Sequence, residues 1–257
     1  MAQWLRFTHA GATHFGTLDG DAIRVFDGDL FDAPRATGRC LSIAEVRLLA
    51  PVQPSKVLAL WNNFGQLARK LGLATPSEPL YLIKPPNTYL EPGGVIRKPL
   101  CDGKVAFEGE LGIVIGKTAR SVPQEQALGH VFGYTCANDV TVNDIIRRDP
   151  SFAQWVRAKG FDTFCPVGPW IETDLDPRDL SVKCIVDGQV RQDGRTSQMM
   201  FDVPALIAYV SRAFTLEPGD LILTGTPEGV GPLAPGNRVT VAIETLGELT
   251  VSVSAPG

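Results

Sequence analysis

The sequence has few of the residues on which several common kinds of site depend. Its 257 residues include only three histidines, and its five cysteines contain no Cys-x-x-Cys pair. Structural zinc sites and disulfide frameworks use regularly spaced or even-numbered cysteines, so neither is supported. No histidine has a serine or cysteine and an acid near it in the sequence, so none indicates a nucleophilic triad.

The sequence also lacks long apolar runs and blocks of one charge. No uncharged stretch approaches the ~18 apolar residues of a membrane span, and the opening residues lack the basic-then-apolar pattern of a signal peptide. Lys plus Arg number 24 against 28 Asp plus Glu, a net charge of −4. Nucleic acids and anionic membranes require a concentrated basic patch. We therefore expect a cytoplasmic protein whose partner is neither a nucleic acid nor a membrane.

Glycine and proline, by contrast, are abundant, with 26 and 20 residues respectively. Both favour turns, so the sequence predicts many strands. Residues 1–55 are expected to form a small β-rich N-terminal domain, and residues 56–257 a larger domain. Within the larger domain, alternation at period two over 238–243 and 249–253 predicts a hairpin.

Two helices are predicted in the larger domain. Apolar residues three or four apart over 202–214 predict a helix that packs one face on the core. Ser121, with Gln124 three residues later, has the pattern of a capping box and predicts that a short helix begins there.

Three acidic residues form the first candidate site. Glu108 and Glu110 lie at the head of an apolar strand, where side chains two apart point to the same face. Adjacent carboxylates repel unless one is protonated or a cation lies between them, so the pair is either solvated or part of a metal site. Asp139 would supply a third oxygen ligand, although an Asn-Asp pair is also common in turns. Such a set suits Mg²⁺, Mn²⁺ or Ca²⁺.

Lys159 and a glycine-rich segment are two further candidates. Lys159 lies among small and aromatic residues, where it either binds a substrate carboxylate or enolate oxygen or extends into solvent as a surface lysine. Residues 224–231 follow a predicted strand, and their glycines allow backbone N–H groups to approach an anion. The alternative for this segment is an ordinary loop between strands.

Four segments together resemble the fumarylacetoacetate hydrolase (FAH) family in order and in spacing. The likeness extends over about residues 55–255 and points to bacterial members of the 2-hydroxyhepta-2,4-diene-1,7-dioate isomerase and 5-carboxymethyl-2-hydroxymuconate isomerase group. It implies a mixed β-rich α+β fold, a β-sheet roll with a small N-terminal β domain, usually assembled as a homodimer. The segments are FEGELGIVIGK (107–117), GYTCANDVT (133–141), KGFDTFCPVGPW (159–170) and TGTPEGVG (224–231).

The resemblance also implies roles for individual residues. Glu108, Glu110 and Asp139 match the metal ligands of the family, for Mg²⁺ or Mn²⁺ or else Ca²⁺, and Lys159 matches its active-site lysine. The expected partner is a small 2-oxo or β-diketo acid, and Lys84 is expected near the entrance, where it would bind a dicarboxylate. The residues at substrate-binding positions are Thr226, Gln192, Lys84 and Gly225.

One motif of the family is absent. Many members carry Asn-Tyr-x-x-His after the first strand, with Glu three residues later, and this pair activates water; here Leu67 and Lys70 occupy those positions. Hydrolysis of a C–C bond needs such a base, whereas isomerisation or decarboxylation needs mainly a metal as electron sink, together with a modest proton shuttle. We therefore expect an isomerase or decarboxylase acting on a 2-oxo (enol) diacid from aromatic ring cleavage.

Two alternatives remain open. A C–C hydrolase of β-diketo acids, of the fumarylacetoacetate or acylpyruvate type, requires that His130, Lys70 or hydroxide supplied by the cation replace the missing pair. A chain that kept its ligands but lost its proton-transfer group would instead be a 2-oxo-acid-binding protein with little turnover. The match at six site positions argues mildly against that second alternative.

Overall fold

The computed structural model describes residues 2–257, and its N-terminal part is an antiparallel meander. Its strands are β1 (Gln3–His9), β2 (Ala12–Asp19), β3 (Ala22–Asp29), β4 (Asp32–Ser42) and β5 (Arg47–Leu48). Apolar side chains alternate with more exposed ones along β1 and β3, as expected for a sheet with one buried face. Leu5, Phe7, Ile23 and Val25 consequently form a small core of their own.

The rest of the described chain contributes fifteen strands, most of them short because turns containing glycine and proline interrupt them. They are β6 (Val57–Trp61), β7 (Leu80–Lys84), β8 (Tyr89–Leu90), β9 (Val95–Ile96), β10 (Val105–Phe107), β11 (Gly109–Ile115), β12 (Val131–Asn138), β13 (Thr141–Val142), β14 (Cys165–Glu172), β15 (Ser181–Val186), β16 (Gln189–Arg195), β17 (Leu221–Leu223), β18 (Gly231–Pro232), β19 (Arg238–Ile243) and β20 (Gly247–Val253).

Helices are few and short. The α-helices are α1 (Gly65–Lys70), α2 (Asn143–Ile146), α3 (Trp155–Lys159) and α4 (Val203–Ala213). Single 3₁₀ segments occupy Ile43–Glu45, Pro86–Thr88, Gln124–His130, Pro177–Asp179 and Thr196–Gln198. Over residues 2–257, no helix has both the length and the apolar character needed to cross a membrane.

The strands form three sheets. The largest runs β4-β3-β2-β1-β14-β12-β11-β17-β6-β7, with β5 added on β1 and β8 on β14. A five-stranded sheet runs β16-β15-β19-β20-β9, and a three-stranded sheet runs β13-β10-β18. Because β1 pairs with β14, the N-terminal meander is continuous with the large sheet. This β-rich α+β architecture confirms the predicted fold class.

The main core lies between the central strands of the large sheet and the five-stranded sheet. Leu111, Ile113 and Cys136 on β11 and β12 belong to one buried cluster with Cys184 on β15 and Val241 on β19. β11 is buried along its whole length, in keeping with the apolar run from Leu111 to Ile115 that follows Glu110. This packing fixes the end of β11 from which the acidic side chains project.

The structure confirms two predicted elements and corrects a third. Helix α4 and the β19–β20 hairpin lie where the apolar periodicity placed them, and the Asp202 side chain caps α4 by accepting from the Ala205 N–H at 2.9 Å. The predicted capping box at Ser121 is wrong, because the 3₁₀ segment begins at Gln124, after Pro123. A residue that precedes proline is held in extended conformation, so no helix begins before Pro123.

Candidate active site

Strand register brings three acidic side chains together at one end of β11. In the antiparallel β11–β12 pair, Gly109 lies opposite Asn138, so that Asp139 follows beside Glu108. The Asp139 N–H donates to the Glu108 carbonyl at 2.9 Å. Carboxylate oxygens of Glu108, Glu110 and Asp139, one from each, lie within 4.8 Å of one another. The three residues predicted as metal ligands therefore form one cluster.

This acidic cluster is withdrawn from solvent. Glu110 and Asp139 are buried, and the Glu108 side chain is 15% exposed. Glu110 Oε2 accepts from the Gly225 N–H at 2.8 Å, whereas Glu110 Oε1 has no hydrogen-bond partner among the described residues. An unpartnered buried carboxylate oxygen is costly, so this atom marks a position for a ligand.

Two lysines face the acidic cluster. Lys159, at the end of α3, donates to Glu108 Oε2 at 3.0 Å, to Asp139 Oδ2 at 2.5 Å and to Thr141 Oγ1 at 2.6 Å. Lys84, at the end of β7, donates to Asp139 Oδ1 at 2.6 Å and to the Val140 carbonyl at 3.2 Å. When all three carboxyl groups are ionised, they outnumber the two ammonium groups, and this net negative charge favours a cation.

Burial and neighbouring charges shift the pKa values of the cluster. Burial, followed by the charges of Asp139 and Glu108, raises the pKa of Glu110 well above its usual value. Burial also raises the pKa of Glu108, against the opposing effect of Lys159. At Asp139 burial acts in the same direction, but Lys159 and Lys84 outweigh it and lower the pKa. At Lys159 burial is outweighed by the carboxylates, which raise its pKa and keep it protonated.

The donor set fits a hard divalent cation. It consists of carboxylate oxygens, the donors that Mg²⁺, Mn²⁺ and Ca²⁺ prefer. The buried Glu110 Oε1 is available to such an ion, because no group of residues 2–257 donates to it. A cation would also offset the burial and the repulsion from Asp139 and Glu108, which together raise the pKa of Glu110. Glu108, Glu110 and Asp139 are therefore the residues that would hold the ion.

Gln192 ties β11 to the loop that follows β17. Its Oε1 accepts from the Gly109 N–H at 2.9 Å, and its Nε2 donates to Thr226 Oγ1 and to the Pro227 carbonyl, both at 2.7 Å. Thr226 Oγ1 in turn donates to the Gly109 carbonyl at 2.9 Å. Gln192 is thus occupied by protein contacts, whereas Thr226 also lines the neighbouring cavity.

The backbone of the Thr-Gly-Thr-Pro turn contacts a carboxyl group of the protein itself. The Gly225 N–H that was expected to approach a ligand donates instead to Glu110 Oε2. Gly225 has a φ of 90°, and a Cβ at this position would lie 3.0 Å from Asn63 Cβ, so other residues are disfavoured. The turn therefore positions a predicted metal ligand.

A cavity of about 340 Å³ adjoins the acidic cluster. Glu108 and Thr226 line it, and so do Leu67 and Lys70 on α1. Lys70 Nζ donates to Glu228 Oε1 at 2.6 Å. The two positions at which many family members carry the water-activating pair therefore do face the site, but here they hold an apolar side chain and an ion-paired lysine.

Two other candidates lie away from this cavity. Lys84 is fully buried rather than near the entrance, so that part of the prediction is wrong; its ammonium is bound by Asp139 and not presented to solvent. His130 immediately precedes β12, and its Nδ1 lies 3.3 Å from the Lys117 carbonyl. In the β11–β12 pair this is the opposite end from Glu110, so His130 does not replace the missing base.

Three residues of the site were missed by the sequence reasoning. Thr141 Oγ1 donates to Glu108 Oε1 at 3.0 Å, and Asn138 Oδ1 accepts from the Glu108 N–H at 2.9 Å. Both lie in the segment 133–141 that carries part of the family resemblance, which was the available signal. Nothing in the sequence indicated that Glu228 would pair with a residue of α1.

A larger cavity lies elsewhere in the described chain. It has a volume of about 680 Å³ and is lined by Phe132 and Tyr134 of β12 and by Met199, among others. None of the predicted site residues lines it. The chemistry of the acidic cluster, and not the size of a cavity, therefore locates the candidate active site.

Models of known families match both parts of the chain. The family described as "Fumarylacetoacetate (FAA) hydrolase C-terminal" matches residues 56–254. The family described as "Rv2993c-like, N-terminal" matches residues 2–51.

Individual proteins are similar over most of the chain. Protein Rv2993c of Mycobacterium tuberculosis is 44% identical over an alignment 257 residues long, gaps included, which covers 93% of this chain and 96% of the relative. A mitochondrial oxaloacetate decarboxylase of Dictyostelium discoideum is 46% identical over 196 residues, 74% of this chain and 89% of the relative. The crystal structure of a 2-hydroxyhepta-2,4-diene-1,7-dioate isomerase from Mycobacterium marinum has a TM-score of 0.91 at 41% identity and covers 99% of this chain and 98% of its own.

Proposed function

Since the chain belongs to the fumarylacetoacetate hydrolase family, we propose that it is a divalent-cation-dependent enzyme acting on a 2-oxo (enol) diacid of the kind formed by aromatic ring cleavage. The proposed reaction is isomerisation or decarboxylation through an enolate. Similar proteins include one named as an oxaloacetate decarboxylase and one named as a dienedioate isomerase. The observation that carries the proposal is the position of Lys159, whose ammonium contacts Glu108 and Asp139 of the acidic cluster.

Glu108, Glu110 and Asp139 are the proposed ligands of the cation. Mg²⁺ and Mn²⁺ take about six ligands and commonly keep several waters, so three carboxylates would leave positions for substrate oxygens, whereas Ca²⁺ takes up to about eight oxygens in a more flexible shell. When bound, such an ion supplies a Lewis acid that polarises a 2-oxo carbonyl. Glu110 Oε1, which no described donor reaches, is the ligand atom that the protein leaves free for it.

Lys159 is proposed to bind the oxygen on which negative charge develops. The surrounding carboxylates raise its pKa, against the effect of burial. The role proposed for Lys159 is that of a protonated hydrogen-bond donor. Its three N–H groups are held by Glu108, Asp139 and Thr141, so a substrate oxygen would replace one of these acceptors on binding. A positive charge held at this place then stabilises a developing enolate.

The opposite wall of the cavity favours this chemistry over hydrolysis. Leu67 has no proton to transfer, and Lys70 is paired with Glu228. C–C hydrolysis depends on a base that activates water, which contributes roughly 10²–10⁴-fold to the rate. A hydrolase of β-diketo acids is therefore the alternative that the experiment must separate, together with a 2-oxo-acid-binding protein of little turnover.

The test is an assay of the purified protein, stripped with EDTA and reloaded with Mg²⁺ or Mn²⁺. Oxaloacetate, an acylpyruvate and a hydroxymuconate-type diacid are the substrates, and Glu110→Gln is the blank. We expect ion-dependent conversion of a diacid that is lost in the blank, with acylpyruvate hydrolysis slower by about 10²-fold or more. Acylpyruvate hydrolysis at ordinary enzyme rates with the diacids untouched would contradict the proposal. No turnover but retained oxalate binding would favour the binding protein.

We also propose that the protein assembles as a homodimer, as the family resemblance implies. Light scattering of the purified chain at several concentrations measures this directly. A mass that stays at that of one chain would contradict it.

A further inference from the structure

The geometry points to Lys70 as the residue that selects a second carboxylate on the substrate, which it binds by exchanging its partner Glu228 for the far end of a diacid. This inference rests on the proposed function, because it presumes that the 2-oxo end of the substrate is bound at the acidic cluster. It adds a specificity-determining residue at a position where many members of the family carry part of a water-activating pair.

The first observation is the place of Lys70 in the cavity. Lys70 ends α1 and lines the same 340 Å³ cavity as Glu108 and Thr226. A substrate whose 2-oxo group lies at the acidic cluster therefore extends towards α1. Among the residues that line this cavity, Lys70 is the only cation.

The second observation is the nature of the surrounding wall. Besides Lys70, the side chains near α1 that line the cavity are mainly apolar, including Trp61, Leu67, Leu71 and Val230. The remaining polar lining residues besides Glu108 and Thr226, which are Asn62 and Asn143, carry no charge, so a carboxylate that loses water here has Lys70 as its only cationic partner. Lys70 is consequently the group that decides whether a charged substrate end is accepted here.

The third observation is that the existing pair is exchangeable. The Lys70 side chain is 58% exposed and that of Glu228 is 42% exposed. Ion pairs with this much exposure contribute little to stability, because water solvates both partners when they separate. Glu228 can therefore release Lys70 and remain hydrated, whereas Lys159 and Lys84 are held by buried carboxylates that cannot do so.

The experiment compares diacids and monoacids of equal chain length as ligands of the Mn²⁺-loaded protein. The pairs are 2-oxoglutarate with 2-oxopentanoate, 2-oxoadipate with 2-oxohexanoate, and 2-oxopimelate with 2-oxoheptanoate, and oxalate serves as a probe of the acidic cluster alone. Affinities are measured by calorimetry in the unaltered protein, Lys70→Met, Glu228→Gln and Arg69→Met. Arg69 is the matched control, since it is an exposed cation on the same helix that does not line the cavity.

We expect the diacid of at least one pair to bind about tenfold more tightly than its monoacid, as one charge-assisted hydrogen bond allows. Lys70→Met should abolish the preference for the diacid without changing oxalate affinity, whereas Arg69→Met should keep that preference. Glu228→Gln should increase the preference, because no internal carboxylate then competes for Lys70. A preference at no chain length, or one that survives Lys70→Met, overturns the inference. Failure of oxalate to bind in every variant would instead refute the proposed function, so the two failures are distinguishable.

Discussion

Lysine–carboxylate pairs occur at both ends of the candidate active site, and they differ in burial. At the inner end, Lys84 and Lys159 are 0% and 3% exposed and share Asp139, which is 1% exposed. At the outer end, Lys70 and Glu228 are 58% and 42% exposed. A buried charge cannot lose its partner without a large free-energy cost, whereas an exposed one is solvated by water. The same residue types therefore give fixed geometry at the inner end and adaptable recognition at the outer end.

The largest expected difference between the two ends is in stability. Asp139→Ala removes the partner of two buried lysines and should lower the free energy of unfolding by about 3–5 kcal/mol, as for other buried pairs. Glu228→Ala breaks only an exposed pair and should change it by less than about 1 kcal/mol. Urea denaturation in the presence of EDTA measures both. Equal effects would mean that burial does not distinguish the two ends.

The second largest difference is expected in cation binding, which should depend on the inner end and not on the outer end. Glu110→Gln keeps the shape and the acceptor of the Gly225 N–H but removes the charge beside the unpartnered oxygen. Because loss of even an outer partner costs roughly 10–100-fold in metal affinity, loss of a ligand should lower Mn²⁺ affinity by about 100-fold or more. Calorimetric titration measures this, with Glu228→Gln as the control. Unchanged affinity in Glu110→Gln would mean that the ion site lies elsewhere.

The inner end was largely predictable from sequence because local patterns encode it. Glu108 and Glu110 are two residues apart, and Asp139 lies in a second segment of the same family resemblance. The structure brings the three together through the register of β11 and β12. Local sequence also predicts helix α4 and the β19–β20 hairpin, because both follow from the spacing of apolar residues. The β-rich fold was predictable in the same way.

The residues that were misplaced or missed depend on long-range packing. Lys84 looks like any lysine at the end of a strand, and only the approach of Asp139, 55 positions later, explains why it is fully buried. The pair of Lys70 and Glu228 spans 158 positions and has no local signal. At Ser121 the local capping-box pattern gave a wrong prediction. Pro123 disfavours helical backbone in the residue before it, so the 3₁₀ segment begins only at Gln124.

Ligand binding should show a smaller but more specific difference. Lys159→Met removes the donor proposed for the developing negative charge, so oxalate affinity at saturating Mn²⁺ should fall about tenfold, the value of one charge-assisted hydrogen bond. Mn²⁺ affinity itself should be retained or higher, because the lysine no longer competes for the oxygens of Glu108 and Asp139. Lys70→Met should leave oxalate affinity within about twofold, since oxalate has no distal carboxylate to reach the outer end. Equal losses in the two variants would remove the distinction between the ends.

The smallest expected effect is a gain of function at the outer end. Leu67→His places an imidazole on the cavity wall at the position where many family members carry their water-activating histidine. A positioned general base contributes roughly 10²–10⁴-fold, but this histidine would have no acidic partner to orient it, so we expect acylpyruvate hydrolysis to rise only about threefold. Leu67→Asn is the control, because it adds a polar group of similar size without a base. A rise in both variants would indicate a change in access, and a rise in neither would mean that Leu67 is not what prevents hydrolysis. A rise confined to Leu67→His would show that the outer end lacks a base rather than a place for one.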